Sequence, residues 1–112
     1  MDEIEDAIKK IEEAVGSIKS LDTGKKTELL RRLKVLKSEL GRLSKTHEED
    51  SLSIAGFARV AAGEAARRKK APHLLESALD GLALTVRGFE ASHPKLTETI
   101  NDVCAMLAQI GV

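Results

Sequence analysis

The sequence predicts an all-α protein, with helical hairpins forming a small bundle or coiled-coil-like assembly of about five helices. Three observations carry this. Four segments place large apolar residues at alternating steps of four and three, which keeps them on one stripe of a helix. Pro72 and Pro94 each stand where a new helix would begin, the position that tolerates a missing N–H. Leu, Ala, Glu, Lys and Arg dominate, while the aromatics are two Phe with no Trp or Tyr, so the core must be aliphatic.

Taken in order, the first helix is expected from about Glu3 to Ser20, with Ile4, Ile8, Ile11, Val15 and Ile18 as its stripe. Asp2 can cap it, and Glu3, Glu5 and Asp6 suit the positive end of its dipole. Gly16 is read as lying inside it, at a cost of about 1 kcal/mol against alanine. Leu21–Gly24 reads as a short connection in which Asp22 or Thr23 caps the second helix. That helix is expected from Lys25 to Ser44, on Leu29, Leu33, Leu36, Leu40 and Leu43. The short link makes the pair an antiparallel hairpin.

Residues 45–51 are polar and read as the principal break, with Asp50 or Ser51 capping a third helix from Leu52 to Arg68. This helix is rich in Ala and Gly, with Ile54, Phe57 and Val60 as its only large anchors. Small side chains bury little area, so it is expected to be the most mobile helix or to be held by a partner. The fourth helix is expected from His73 to Glu90, on Leu75, Leu79, Leu82, Val86 and Phe89. The fifth runs from Pro94 to Ile110 on Leu96, Ile100, Val103, Leu107 and Ile110. Ser92 or His93 is its cap, and Gly111 its C-terminal exit. Phe89, Glu90, Ser92, His93 and Pro94 thus make a tight structural corner, because Pro94 disfavours α geometry at His93. The chain divides into a hairpin at 1–46, a linker and small-residue helix at 47–71, and a hairpin at 72–112, within one cooperative domain.

The formal net charge is zero, yet the charge is unevenly placed. Residues 1–22 carry −4, 23–47 carry +6, 48–66 carry −3, Arg67–Lys70 carry +4, and the rest carry −3. No apolar run approaches the roughly 18 residues of a membrane span. The acidic start lacks the order of a signal peptide. A single cysteine excludes an internal disulfide and suits a reducing cytoplasm, the expected location.

Each candidate site has a plainer competitor. His93 could be a base oriented by Glu90, but a contiguous turn seldom supplies nucleophile, base and orienter together, and the corner reading is preferred. His47, His73, His93 and Cys104 lack any ligand spacing for zinc. Arg67, Arg68, Lys69 and Lys70 are candidate phosphate contacts, with Lys25, Lys26, Arg31, Arg32, Lys34 and Lys37 as helpers. Their plainer role is to face a helix C-terminus. The missing stacking aromatics and recognition motifs argue against nucleic acid.

Phe89, Glu90, Ser92, His93 and Pro94, followed by a helix ending at Ile110, Gly111 and Val112, resemble the C-terminal part of the bacterial domain-of-unknown-function family 4404. The first helix, the connection at Leu21–Asp22 and the second helix also look similar, whereas residues 45–71 look longer than in typical members. The resemblance implies a small helical bacterial protein and supplies no chemistry.

The expected function is therefore a non-enzymatic helical interaction or oligomerisation protein, with no catalytic, cofactor or metal residues. The alternative is a small nucleic-acid-associated or regulatory protein using the basic patches at 25–45 and 67–70. Narrow stripes and a weak third helix point to self-association as a homodimer, with tetramers permitted by Leu- and Ile-rich seams, and to a further protein partner of unknown identity.

Overall fold

Five helices, α1 (Glu3–Gly16), α2 (Thr23–Leu43), α3 (Glu48–Ala65), α4 (Pro72–Val86) and α5 (Pro94–Ile110), make up the computed structural model, which describes residues 2–111. Two of the expected caps form. The Asp2 carboxylate accepts from the Ile4 N–H at 2.9 Å, and that of Asp22 from the Lys25 N–H at 2.9 Å.

Other boundaries differ from the sequence reading. α1 stops at Gly16, four residues before Ser20. The Ser17 hydroxyl donates to the Ala14 carbonyl at 2.7 Å, and the Lys26 ammonium to that of Gly16 at 3.3 Å, so orphan carbonyls of the last turn are satisfied there. α3 starts at Glu48 instead of Leu52, which contracts the break to 44–47. Glu48, Glu49 and Asp50 are its first turn, where acids suit the dipole. Ser51 is therefore no cap: it is buried, and its hydroxyl donates to the Glu48 carbonyl at 2.8 Å.

α4 ends at Val86 and a 3-10 turn over Arg87–Phe89 takes the place of the expected extension to Glu90. His93, not Ser92, stands at the start of α5 and makes no side-chain cap. Gly111 has φ −83°, an ordinary value, so it is not a left-handed exit. Its small size matters instead, because a Cβ there would collide with Leu75.

The helices close a ring in the order α1, α2, α5, α4, α3 and back to α1. Short connections alternate their directions, so α1, α3 and α5 run one way and α2 and α4 the other. One end of the bundle gathers residues 44–47 and 87–93, and the other gathers residues 17–22 and 66–71. The four stripes and the alanine face of α3 point inward into one aliphatic core. The radius of gyration is 13.0 Å, close to the ~13 Å of a chain this long closed on itself.

The weakly anchored third helix is packed within the chain. It lies between α1 and α4 and buries Ile54 and five alanines, Ala55, Ala58, Ala61, Ala62 and Ala65. Small side chains let its backbone approach both neighbours, so close approach replaces side-chain volume. No described helix is long and apolar enough to cross a membrane.

Candidate interaction surface and basic pole

Burying the alanine face of α3 turns its other side to solvent. Phe57 and Val60 point outward there, 41% and 55% exposed, beside Ser53, Gly56 and Gly63. On α4, burial of Leu75, Ala78, Leu82 and Val86 leaves Leu74 and Leu84 outward, 44% and 58% exposed. Among the described residues these four are all of the exposed large hydrophobics. The Phe57 ring crosses to α4 and lies over Gly81. Arg59 on α3 and Glu76 and Asp80 on α4 are exposed and form no ion pair among the described residues.

The charged residues sort by position along the bundle. At the end where α1 and α3 finish, a cleft of about 470 Å³ is lined by Ser17, Lys19, Ser20, Arg67, Arg68 and Lys70 among its polar residues. Three of the four candidate phosphate contacts meet there, and Lys69 does not line the cleft. Lys70 is held by the Ala65 carbonyl at 2.5 Å and Arg67 by Glu64 at 3.0 Å. Lys19 and Arg68 have neither a hydrogen bond from their side chains nor an ion pair among the described residues.

The basic stretch at 25–45 does not join this pole as one surface. Only Lys25 and Lys26 lie near it. Arg31 and Arg32 share Glu28, and Arg32 also reaches Asp102 on α5. The hydrogen bonds from Arg31 and then Arg32 hold the Glu28 carboxyl below its usual value. Lys37 pairs with Glu5 of α1 at 3.9 Å, and Arg42 with Glu39 at 4.0 Å. These cations are mostly spent on holding α2 to its own acids and to its neighbours.

At the opposite end, His47, Phe89 and His93 form a three-ring cluster. Their centroids lie 5.4 Å (His47–Phe89), 5.6 Å (Phe89–His93) and 6.3 Å (His47–His93) apart, each pair edge to face. Thr46 meets His47 Nδ1 at 2.8 Å and Ser92 meets His93 Nδ1 at 3.0 Å. Both histidines precede a helix with the same backbone, φ −137° and ψ 65°. Glu90 makes no hydrogen bond to His93 among the described residues, so the proposed orienter of a histidine base is not in place. Sequence reasoning missed this meeting of corners. The signal was the hydroxyl–histidine pair at 46–47 repeated at 92–93.

His73 opens α4 at the basic end, far from the other two histidines along the bundle. Among the described residues no three His, Cys, Asp or Glu side chains converge as metal ligands. Cys104 is half-buried on α5, and burial pushes its thiol up to about 11.

Neither curated proteins nor solved structures gave a match to the chain. A family model, described as a domain of unknown function (DUF4404), matches residues 29–112. The match begins inside α2, so it leaves out the first helix, and it takes in residues 45–71, the region that had looked atypical. It spans three quarters of the sequence, and the chain belongs to the DUF4404 family.

Proposed function

We propose that this protein acts by binding protein surfaces rather than by catalysis, and that its first partner is a second copy of itself. The observation that carries this is that the exposed large hydrophobics among the described residues, Phe57, Val60, Leu74 and Leu84, all lie on the neighbouring helices α3 and α4. Large apolar side chains exposed together on a small protein mark an association surface. The core no longer supplies a reason to pair, because α3 closes it; the outer face does. A two-fold axis sets this face against itself, so α3 of one copy can meet α4 of the other. Arg59 then has Glu76 and Asp80 as complementary charges at the rim, and glycines at 56 and 63 allow close approach.

Light scattering over a dilution series tests the reading. The expected mass is twice 12.1 kDa at high concentration, falling toward 12.1 kDa when Val60→Glu and Leu84→Glu are combined. Both side chains are more than half exposed, so the variant should keep its helical circular dichroism and melting. A wild-type mass that stays at the monomer value up to submillimolar concentration overturns the proposal.

A further inference from the structure

The basic pole carries more positive charge than the helices ending there require. Lys19, Lys25, Lys26 and the run Arg67–Lys70 are opposed among the described residues by Asp22 and Glu64, a formal excess of +5. Each helix end amounts to roughly half a charge, so three C-termini and two N-termini sum to only about −0.5. Dipole compensation therefore accounts for a small part of the cluster. It accounts for Lys70 and Lys26, which sit on the Ala65 and Gly16 carbonyls, while Arg67 is held separately by the Glu64 carboxylate.

What remains is a set of donors that bind nothing among the described residues. Lys19 and Arg68 line one cleft from two different connections, and Ser20, whose hydroxyl has no hydrogen bond among the described residues, lines it with them. Among the described residues no carboxylate lines the cleft. A guanidinium offers two parallel N–H groups to phosphate oxygens, and an ammonium adds a point charge beside them. Two unpaired cations plus two anchored ones suit several adjacent phosphates better than one.

We infer that the cleft between residues 17–20 and 66–70 binds the phosphates of a compact polyphosphate group, as carried by inorganic tripolyphosphate or a nucleoside triphosphate. An extended nucleic acid fits less well. The cations converge on one pole instead of tracking a groove, and Arg31, Arg32 and Lys37 further along α2 are tied to Glu28, Asp102 and Glu5. Bases also need stacking partners, and Phe89 lies at the opposite end of the bundle, against His47.

Calorimetric titration with tripolyphosphate in 0.15 M salt, using the full chain, tests this, with orthophosphate, adenosine triphosphate and a twenty-base oligothymidylate as parallel arms. Tripolyphosphate should bind at least tenfold more tightly than orthophosphate. Lys19→Gln and Arg68→Gln should each weaken it several-fold, and the pair by tenfold or more. Both side chains are exposed and bonded to nothing in the described chain, so the variants should melt like wild type. Lys10→Gln, at an exposed pair with Asp6, should leave affinity unchanged. Equal binding of adenosine triphosphate and tripolyphosphate places recognition on the phosphates alone; tighter binding of the nucleotide adds a base contact to the same site. Absence of binding at millimolar tripolyphosphate, an equal loss in Lys10→Gln, or tighter binding of the oligonucleotide than of tripolyphosphate would each overturn the inference.

Discussion

The Phe57 ring of α3 lies over the bare Cα of Gly81 on α4, so closely that a methyl at 81 would meet ring carbons, one of them at 2.7 Å. The ring occupies the space that a side chain at 81 would take. Gly81→Ala sets two effects against each other. Alanine inside a helix gains about 1 kcal/mol over glycine. The ring must swing away, which costs its packing but is open to it because Phe57 is partly in solvent. The net change should be small, within about 1 kcal/mol of zero, on the scale of these propensities. In a Phe57→Ala background the collision is gone, and Gly81→Ala should stabilise by about 0.5–1 kcal/mol. Urea unfolding of the four proteins in this cycle measures the coupling, and a cycle that closes with no coupling would show that the contact is not made.

Leu107 on α5 and Leu84 on α4 are the same residue type in opposite surroundings, 1% and 58% exposed. Leu107→Ala removes three buried carbons and leaves a cavity, which should cost about 2–5 kcal/mol. Leu84→Ala should stay within about 0.5 kcal/mol of wild type in the monomer, since no packed neighbour loses its partner. Thermal melts at low concentration compare the two. A larger loss at Leu84 than at Leu107 would place the core on the wrong side of α4.

Periodicity and local chemistry were legible in the sequence, and long-range pairing was not. The stripe of α2, and that of α5 from Leu96 to Leu107, are buried as the four-three spacing requires, because burying one face needs only a period; Ile110 at the end of α5 is half-buried. Asp2 and Asp22 cap as read, because a cap bond spans two or three residues. Glu48–Asp50 misled for a physical reason: acids in a polar run suit either a linker or a first helical turn. The role of α3 depended on how near alanine lets two other helices come, which composition alone does not set. The basic block at 25–45 dispersed because Glu5 and Asp102, the acids that take Lys37 and Arg32, come from helices distant in sequence. Lys19 and Ser20 joined Arg67–Lys70 for the same kind of reason, through the parallel packing of α1 and α3.

Arg32 links α2 to α5 through Asp102 while also holding Glu28 one turn back. The network is about one-third exposed on each side, so water and salt screen it. Asp102→Asn should cost no more than about 1 kcal/mol in low salt, as exposed pairs do. The cost should shrink toward zero in 1 M salt, where the screening length is about 3 Å. Chemical denaturation in urea, which leaves ionic strength unchanged, is the suitable measurement. A cost that is large and independent of salt would mean that the pair is dry.

Cys104 supplies a pH-dependent test of the core beside α5. Burial favours the neutral thiol, lifting its folded pKa to about 11 from an ordinary 9.0. A group with a raised folded pKa lends stability that is whole below the unfolded pKa. That stability drains away as pH climbs toward the folded one, because the unfolded chain ionises first. Wild type should therefore lose stability between about pH 9 and pH 11 relative to Cys104→Ala, and the two should run parallel below pH 8. Subtracting the alanine variant removes the lysines that titrate over the same range. The native thiol should also react with iodoacetamide at pH 8 more slowly than the same thiol in urea, since the thiolate is the reacting form. Parallel stability curves to pH 11, together with equal alkylation rates folded and unfolded, would show that α5 leaves this side chain open to water.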